Sequence, residues 1–174
     1  MLNCDYIVSQ TLYEDGREIA VKNYVCGNIV WQLGTNPTSG ESYQCYFAQD
    51  GDNYYQYAQA DGKWEKRVTT KETFVALRSW LSDFVGKYEM FKSDGTNTFF
   101  CEGMEMNFSD GLTATLKNIK ITFNEDKKVE RLECTEIARY PVAEGSEEYV
   151  EYATTLTATF GYNNVFIELP QVEE

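Results

Sequence analysis

Apolar and polar positions alternate along most of this chain, and that period of two predicts strands. Within Asp5–Tyr13 one parity carries Tyr6, Val8 and Leu12. Within Glu18–Cys26 one parity carries Ile19, Val21 and Val25, and Ile29, Trp31 and Leu33 share a side of the next run. Glu14-Asp15-Gly16 and Gly27-Asn28 separate these runs, the second being a turn type that accepts positive φ. Three strands in hairpin order are the expectation.

Gly34–Gly40 reads as the clearest loop, either a mobile tip or a rim. Beyond it Tyr43, Cys45 and Phe47 alternate with Gln44, Tyr46 and Ala48. Asp50-Gly51-Asp52-Asn53 turns the chain into Tyr54–Ala60, and Asp61-Gly62 turns it into Lys63–Val68, the rhythm of a meander.

The period then changes. Thr69-Thr70-Lys71-Glu72 holds a Thr-x-x-Glu capping box. Phe74, Leu77, Trp80, Leu81 and Phe84 follow on one helical face, with Gly86 as the C-cap. Strands resume at Lys87–Lys92, Thr98–Glu102, Glu105–Phe108, Thr113–Asn124, Lys128–Ile137, Glu147–Phe160 and Val165–Leu169, with turns at Ser93–Gly95, Ser109–Gly111, Asn124–Asp126, Ala143–Gly145 and Gly161–Asn164. Pro170 ends the last of them.

Short connections imply antiparallel neighbours, and about ten strands in one sheet curl or split. The predicted fold is therefore mainly β (α+β). It is a curved antiparallel meander sheet or incomplete barrel with one amphipathic helix on its concave face. One domain spans residues 1–174, with strands over 5–68, the helix over 70–85 and strands over 87–169. The length fits a domain that buries roughly 70% of its unfolded surface without metal or staple.

Composition narrows the functions. The net charge of −13 repels phosphate backbones and anionic head groups, which argues against nucleic acid and electrostatic membrane docking. The charge is uneven: 62–92 carries seven basic and four acidic residues, and 144–174 carries seven acidic residues and no basic one. Two solvated surfaces of opposite sign explain this simply. The sharper reading docks the basic helix region on the acidic closing segment.

Histidine is absent, which removes Ser-His-Asp and Cys-His nucleophile activation and imidazole acid–base chemistry. The five cysteines, Cys4, Cys26, Cys45, Cys101 and Cys134, lack zinc-ligand spacing and read as small buried hydrophobes. One bridge between neighbouring strands stays open and would imply an oxidising compartment. Asp50-Gly51-Asp52-Asn53 looks like a calcium loop, but Tyr54 and Tyr55 stand where an oxygen ligand and a glycine belong, so a hairpin turn is preferred. Glu102 and Glu105 form a close carboxylate pair, but Gly103 between them suggests a bulge or turn, and generic surface charge explains them better. No cofactor or metal motif is present, and no apolar run is long enough for a transmembrane helix.

No signal peptide is visible, so the chain is either cytoplasmic or follows a removed leader. Met1-Leu2-Asn3 does not make Cys4 a lipidation cysteine. The positive signal is aromatic: Tyr43, Tyr46, Tyr54, Tyr55, Tyr57 and Trp64 crowd three successive strands. Core packing with cross-strand ladders is one reading, and a surface that holds amphiphiles or glycans is the other.

Tyr55-x-Tyr57 with Asp61-Gly62-Lys63-Trp64, the helix Thr70–Val85, and Val165-Phe166-Ile167-Glu168-Leu169-Pro170 together resemble the LolA/LppX-type lipoprotein-carrier fold, as in uncharacterised bacterial surface lipoproteins. The resemblance spans most of the chain and implies export, and a lipid or acyl chain held between curved sheet and helices. It carries over no site residues. The chain departs from it in having one helix rather than several.

The leading expectation is a non-catalytic envelope or cell-surface domain, monomeric, binding a lipid or other amphiphile between sheet and helix. Its ligand residues would be Tyr43, Tyr46, Tyr55, Tyr57, Trp64 and Trp80. The alternative is a surface module binding glycan or protein through exposed aromatics. A carboxylate glycosidase is a third option, requiring two acids about 5–9 Å apart in a cleft.

Overall fold

The computed structural model describes the chain except residues 1, 4, 15–16, 37, 80–86, 108–112, 142–148, 164 and 173–174. In chain order the elements are β1 (Leu2–Asn3), β2 (Tyr6–Glu14), β3 (Arg17–Cys26), β4 (Ile29–Thr35), β5 (Ser42–Asp50), β6 (Asn53–Ala60), β7 (Lys63–Val68), α1 (Lys71–Ser79), a 3-10 turn (Tyr88–Met90), β8 (Lys92–Ser93), β9 (Thr98–Asn107), β10 (Thr113–Phe123), β11 (Val129–Pro141), β12 (Tyr149–Gly161) and β13 (Phe166–Ile167). The protein is mainly β. Eleven strands form one open antiparallel sheet in the order β7-β6-β5-β4-β3-β2-β12-β11-β10-β9-β8, and β1 pairs with β13 in a second, two-stranded sheet. Among the described residues α1 is the single α-helix.

Two-residue turns set the register of the first meander. Cys26 pairs with Ile29, Asp50 with Asn53 and Ala60 with Lys63. Asp61 and Gly62 both take positive φ, 51° and 77°, the geometry whose twist matches that of the flanking strands. The supposed calcium loop at Asp50–Asn53 is thus a hairpin turn. The loop after β4 is tied by its own polar groups: Asn36 Oδ1 accepts from the backbone N–H of Thr38 (2.9 Å) and Ser39 (3.2 Å), and Asn36 N–H donates to Glu41 O (2.8 Å).

Contacts divide the chain into two compact units. The first comprises Met1–Ser9, Ile19–Ser82 and Phe160–Glu174, and the second comprises Gln10–Glu18 and Asp83–Thr159. In the first unit both faces of the β3–β6 sheet are covered. On one face Val25, Val30, Cys45 and Phe47 pack on Phe74 of α1, which is 1% exposed, with Leu77 beside it. On the other, Cys26, Ile29, Ala48 and Tyr57 pack on Ile167, with Val165, Leu169 and Val172 of the closing segment around it. The helix and residues 165–172 therefore lie on opposite faces, so this part of the acidic closing segment does not receive the helix. Apolar burial on two sides, rather than charge attraction, places them.

The helix begins one residue later than the capping box implies. Thr70 Oγ1, not Thr69, accepts from the backbone N–H of Thr73 (3.2 Å). Glu72 sits in the first turn, where a carboxylate favours the dipole. The hydroxyl of Tyr6 donates to the carbonyl of Arg78 and pins the far end of the described helix.

In the second unit Leu132, Ile119 and Ala158 are fully buried, with Cys101, Met104, Leu116, Cys134 and Leu156 close behind. Lys117 pairs with Thr135 but Lys120 with Glu133, so β10 carries an extra residue, a bulge at Asn118 with φ 53°. The bulge keeps Leu116 and Ile121 on one side of β11. Gly103 lies across from it, where a Cβ would come within 3.1 Å of the Leu116 carbonyl oxygen.

Three further differences from the sequence reading stand out. Thr98–Asn107 is one strand, because Gly103 continues the ladder instead of breaking it. Lys87–Lys92 is mostly a 3-10 turn, with only Lys92–Ser93 in a strand. The short strand β1 has no alternation to announce it. The turns at Asp15–Gly16, Ser109–Gly111 and Ala143–Gly145, together with Cys4, Trp80, Leu81, Phe84 and Gly86, lie outside the described residues.

Candidate ligand pocket

The meander register builds a row of rings on one face. Tyr24 stands opposite Trp31, Trp31 opposite Tyr46, Tyr46 opposite Tyr57 and Tyr57 opposite Lys66, across β3 to β7. Tyr24 and Trp31 stack at 4.7 Å between ring centroids, and Trp31 and Tyr46 at 5.8 Å with planes 6° apart. Trp64 meets Tyr46 edge-on at 5.3 Å. Lys66 Nζ lies 3.8 Å from the centroid of the Tyr55 ring and 5.7 Å from that of Tyr57. Of the six sequence-derived ligand residues, Tyr46, Tyr55, Tyr57 and Trp64 thus share this face. Trp31 stacks on both Tyr24 and Tyr46, and the closing segment covers part of the row. Trp31 Nε1 is buried with no hydrogen-bond partner among the described residues.

Tyr43 belongs to the opposite face, an odd number of residues from Tyr46 on the same strand. Trp80 lies outside the described residues. The sequence reading placed Tyr24 and Trp31 in strands but not in the row. Their parity was readable, but their ring partners follow only from the register.

On the helix-covered face a polar row crosses an otherwise apolar surface. Asn23, 3% exposed, accepts from Gln32 Nε2 at 3.1 Å. The Cys45 thiol donates to Gln32 Oε1 at 3.6 Å, and Gln56 also hydrogen-bonds that thiol. Burial pushes the Cys45 pKa up to about 11, with Gln56 pulling the other way, so the group is a neutral thiol at physiological pH.

Where this row reaches the end of β4–β6, a depression of about 630 Å³ opens. Gln32, Tyr43, Cys45, Gln56 and Ala58 reach it from the helix-covered face, and Leu33, Ser42, Gln44 and Gln59 complete its wall. None of these described residues is charged, in a chain with 43 charged side chains, 28 acidic and 15 basic. Tyr43 is 39% exposed and faces Gly34 across the ladder. A Cβ at Gly34 would fall within 2.5 Å of Tyr43 Cζ, so the ring lies over the bare glycine backbone. The ring is covered there, and its remaining exposed surface lines the depression. Burial, and then Cys45, raise the Tyr43 pKa above its ordinary value, so the phenol is also neutral.

Gln32 keeps free capacity: one N–H goes to Asn23 and one lone pair to Cys45, leaving one donor and one acceptor site. The pocket can therefore donate and accept hydrogen bonds without charge, beside an aromatic face.

A second depression, about 450 Å³, sits at the Asn118 bulge in the other unit, against Phe100, Glu102, Lys120 and Glu133. Two of its charged side chains, Lys120 and Glu133, pair with each other. Lys120 Nζ lies 3.7 Å from Glu133 Oε2 and Arg131 Nη2 lies 2.9 Å from Glu133 Oε1. Arg131, and less strongly Lys120, hold the Glu133 carboxyl below its usual range. Glu102 and Glu105 are exposed on the same strand on either side of Gly103. That is the pattern of a solvated outer sheet face.

No protein-family model matches this chain, and no curated protein matches it.

Proposed function

We propose that this chain is a non-catalytic binding domain of the cell envelope or cell surface, and that its uncharged pocket takes a neutral amphiphile. The observation that carries the reading is the lining of that pocket: carboxamides, a neutral thiol, a hydroxyl and one partly exposed aromatic ring. Such a site favours an uncharged polar head beside an apolar body, because a charge entering it would lose water and find no counter-ion. Phe74 fills the space between helix and sheet, so the ligand belongs at the open strand ends rather than beneath the helix.

Three features support the wider reading. Cys26 is disulfide-bonded, which suits an oxidising compartment. The absence of histidine and the neutral state of Cys45 leave no activated nucleophile in the pocket. A sheet covered by helical structure is also what the resemblance to the lipoprotein-carrier fold implies, although that fold has several helices where α1 is the single α-helix among the described residues.

The test is an NMR titration of the full chain with eight-carbon alkyl probes differing only in head group: a glucoside, a tetraethylene glycol, a sulfate and a trimethylammonium. The two neutral probes are expected to shift the side-chain amide signals of Gln32 and Gln56, and the charged ones to leave them in place. Shifts of equal size with all four probes, or with none, would overturn the proposal.

A further inference from the structure

We infer that the head group read by this pocket is a neutral carbohydrate, with the exposed part of the Tyr43 ring as its platform. The inference rests on the pocket reading above and narrows it. A sugar ring has one face of C–H groups and a rim of hydroxyls that both donate and accept. The pocket presents the complement of each part.

For the C–H face, Tyr43 supplies the exposed part of a ring that is seated on Gly34. This distinguishes it from Tyr46 and Trp64, which are engaged with neighbouring rings. For the rim, Gln32 on β4 and Gln56 on β6 stand on the same face, on either side of β5, and are joined through its Cys45. That bonding fixes the Gln32 carboxamide while leaving it one donor and one acceptor. Uronic acids and sulfated sugars do not suit the site. It offers them no cation, and the chain's net charge of −13 repels them.

The experiment is affinity electrophoresis of the full chain through gels containing single polysaccharides, followed by calorimetry with the matching hexasaccharide. Neutral gels are β-glucan, xylan, mannan and amylose, and anionic gels are polygalacturonate and heparin. Retardation is expected in at least one neutral gel and in neither anionic gel. Tyr43→Ala should weaken that binding about tenfold. Phe100→Ala, an exposed ring in the other unit, should leave it unchanged. Far-ultraviolet and near-ultraviolet circular dichroism of both variants shows that they fold.

Binding that survives Tyr43→Ala, or retardation only in the anionic gels, would overturn the carbohydrate assignment. So would the absence of retardation in every gel. If the alkyl tetraethylene glycol still shifts Gln32 in that last case, the amphiphile reading stands and the sugar reading alone falls. If it too has no effect, both fall.

Discussion

The two faces of the β3–β6 sheet use aromatic side chains in opposite ways. On one face Tyr24, Trp31 and Tyr46 stack in a row and Trp64 meets Tyr46 edge-on, so these rings are engaged with one another. On the other, Tyr43 is paired with a glycine and stays partly exposed. Aromatic density by itself therefore does not mark a binding surface. What matters is whether a ring's neighbour across the ladder is another ring or a residue without a side chain. The same contrast holds for polar atoms. Trp31 Nε1 is buried without a partner among the described residues, whereas Asn23, Gln32 and Cys45 form a bonded row.

The largest disruption of this arrangement should come from the helix side. Phe74→Ala removes the ring that Val25, Val30 and Phe47 surround, and should cost about 3–5 kcal/mol in urea unfolding. A loss under about 1 kcal/mol would mean that the helix does not seal that face.

Alkaline pH should act next. Unfolded thiols ionise near 9, while burial holds Cys45 to about 11 and Cys134 to about 12. Between those limits the unfolded chain gives up protons that the folded chain keeps, so stability must fall as pH rises. The contribution is complete below pH 9 and is lost as pH passes through 11 to 12. At about 1.4 kcal/mol per pKa unit, at most roughly 3 kcal/mol is at stake for Cys45 and roughly 4 kcal/mol for Cys134. Denaturation midpoints over this range check it, and Cys45→Ala should flatten the slope.

The ring row should show a coupling but a smaller one. A double-mutant cycle on Trp31 and Tyr46 should return about 0.5–1.5 kcal/mol beyond the sum of the single changes. A value near zero would reduce the row to mere burial.

The finest test is Gly34→Ala. A methyl group there must displace the Tyr43 ring, whose far end is free to swing, so stability should change by less than about 1 kcal/mol. Ligand binding should nevertheless weaken, since the platform moves. Unchanged affinity in calorimetry would show that Tyr43 does not take part.

Part of the site was legible in the residues. Tyr43 and Tyr46 differ by an odd number, so their opposite faces follow from alternation alone, yet grouping by density placed them together. Trp31 shared a parity with Ile29 and Leu33, but nothing near it in sequence names Tyr24 and Tyr46 as its neighbours. The polar row was also hidden. Gln32, Cys45 and Gln56 are unremarkable one by one, and they meet only once the hairpin register is set.

By itself the sequence determined the mainly antiparallel β architecture, the tight turns such as Asp61-Gly62 and a helix starting beside Thr70. These rest on interactions within a few residues: backbone sterics, capping and hydrophobic period. Only the tertiary structure decided that the closing segment and the helix cover opposite faces, that Gly103 continues a strand and that Tyr43 lies over Gly34. Those outcomes depend on which distant strands pair and what apolar surface remains to be buried, and no local pattern encodes that.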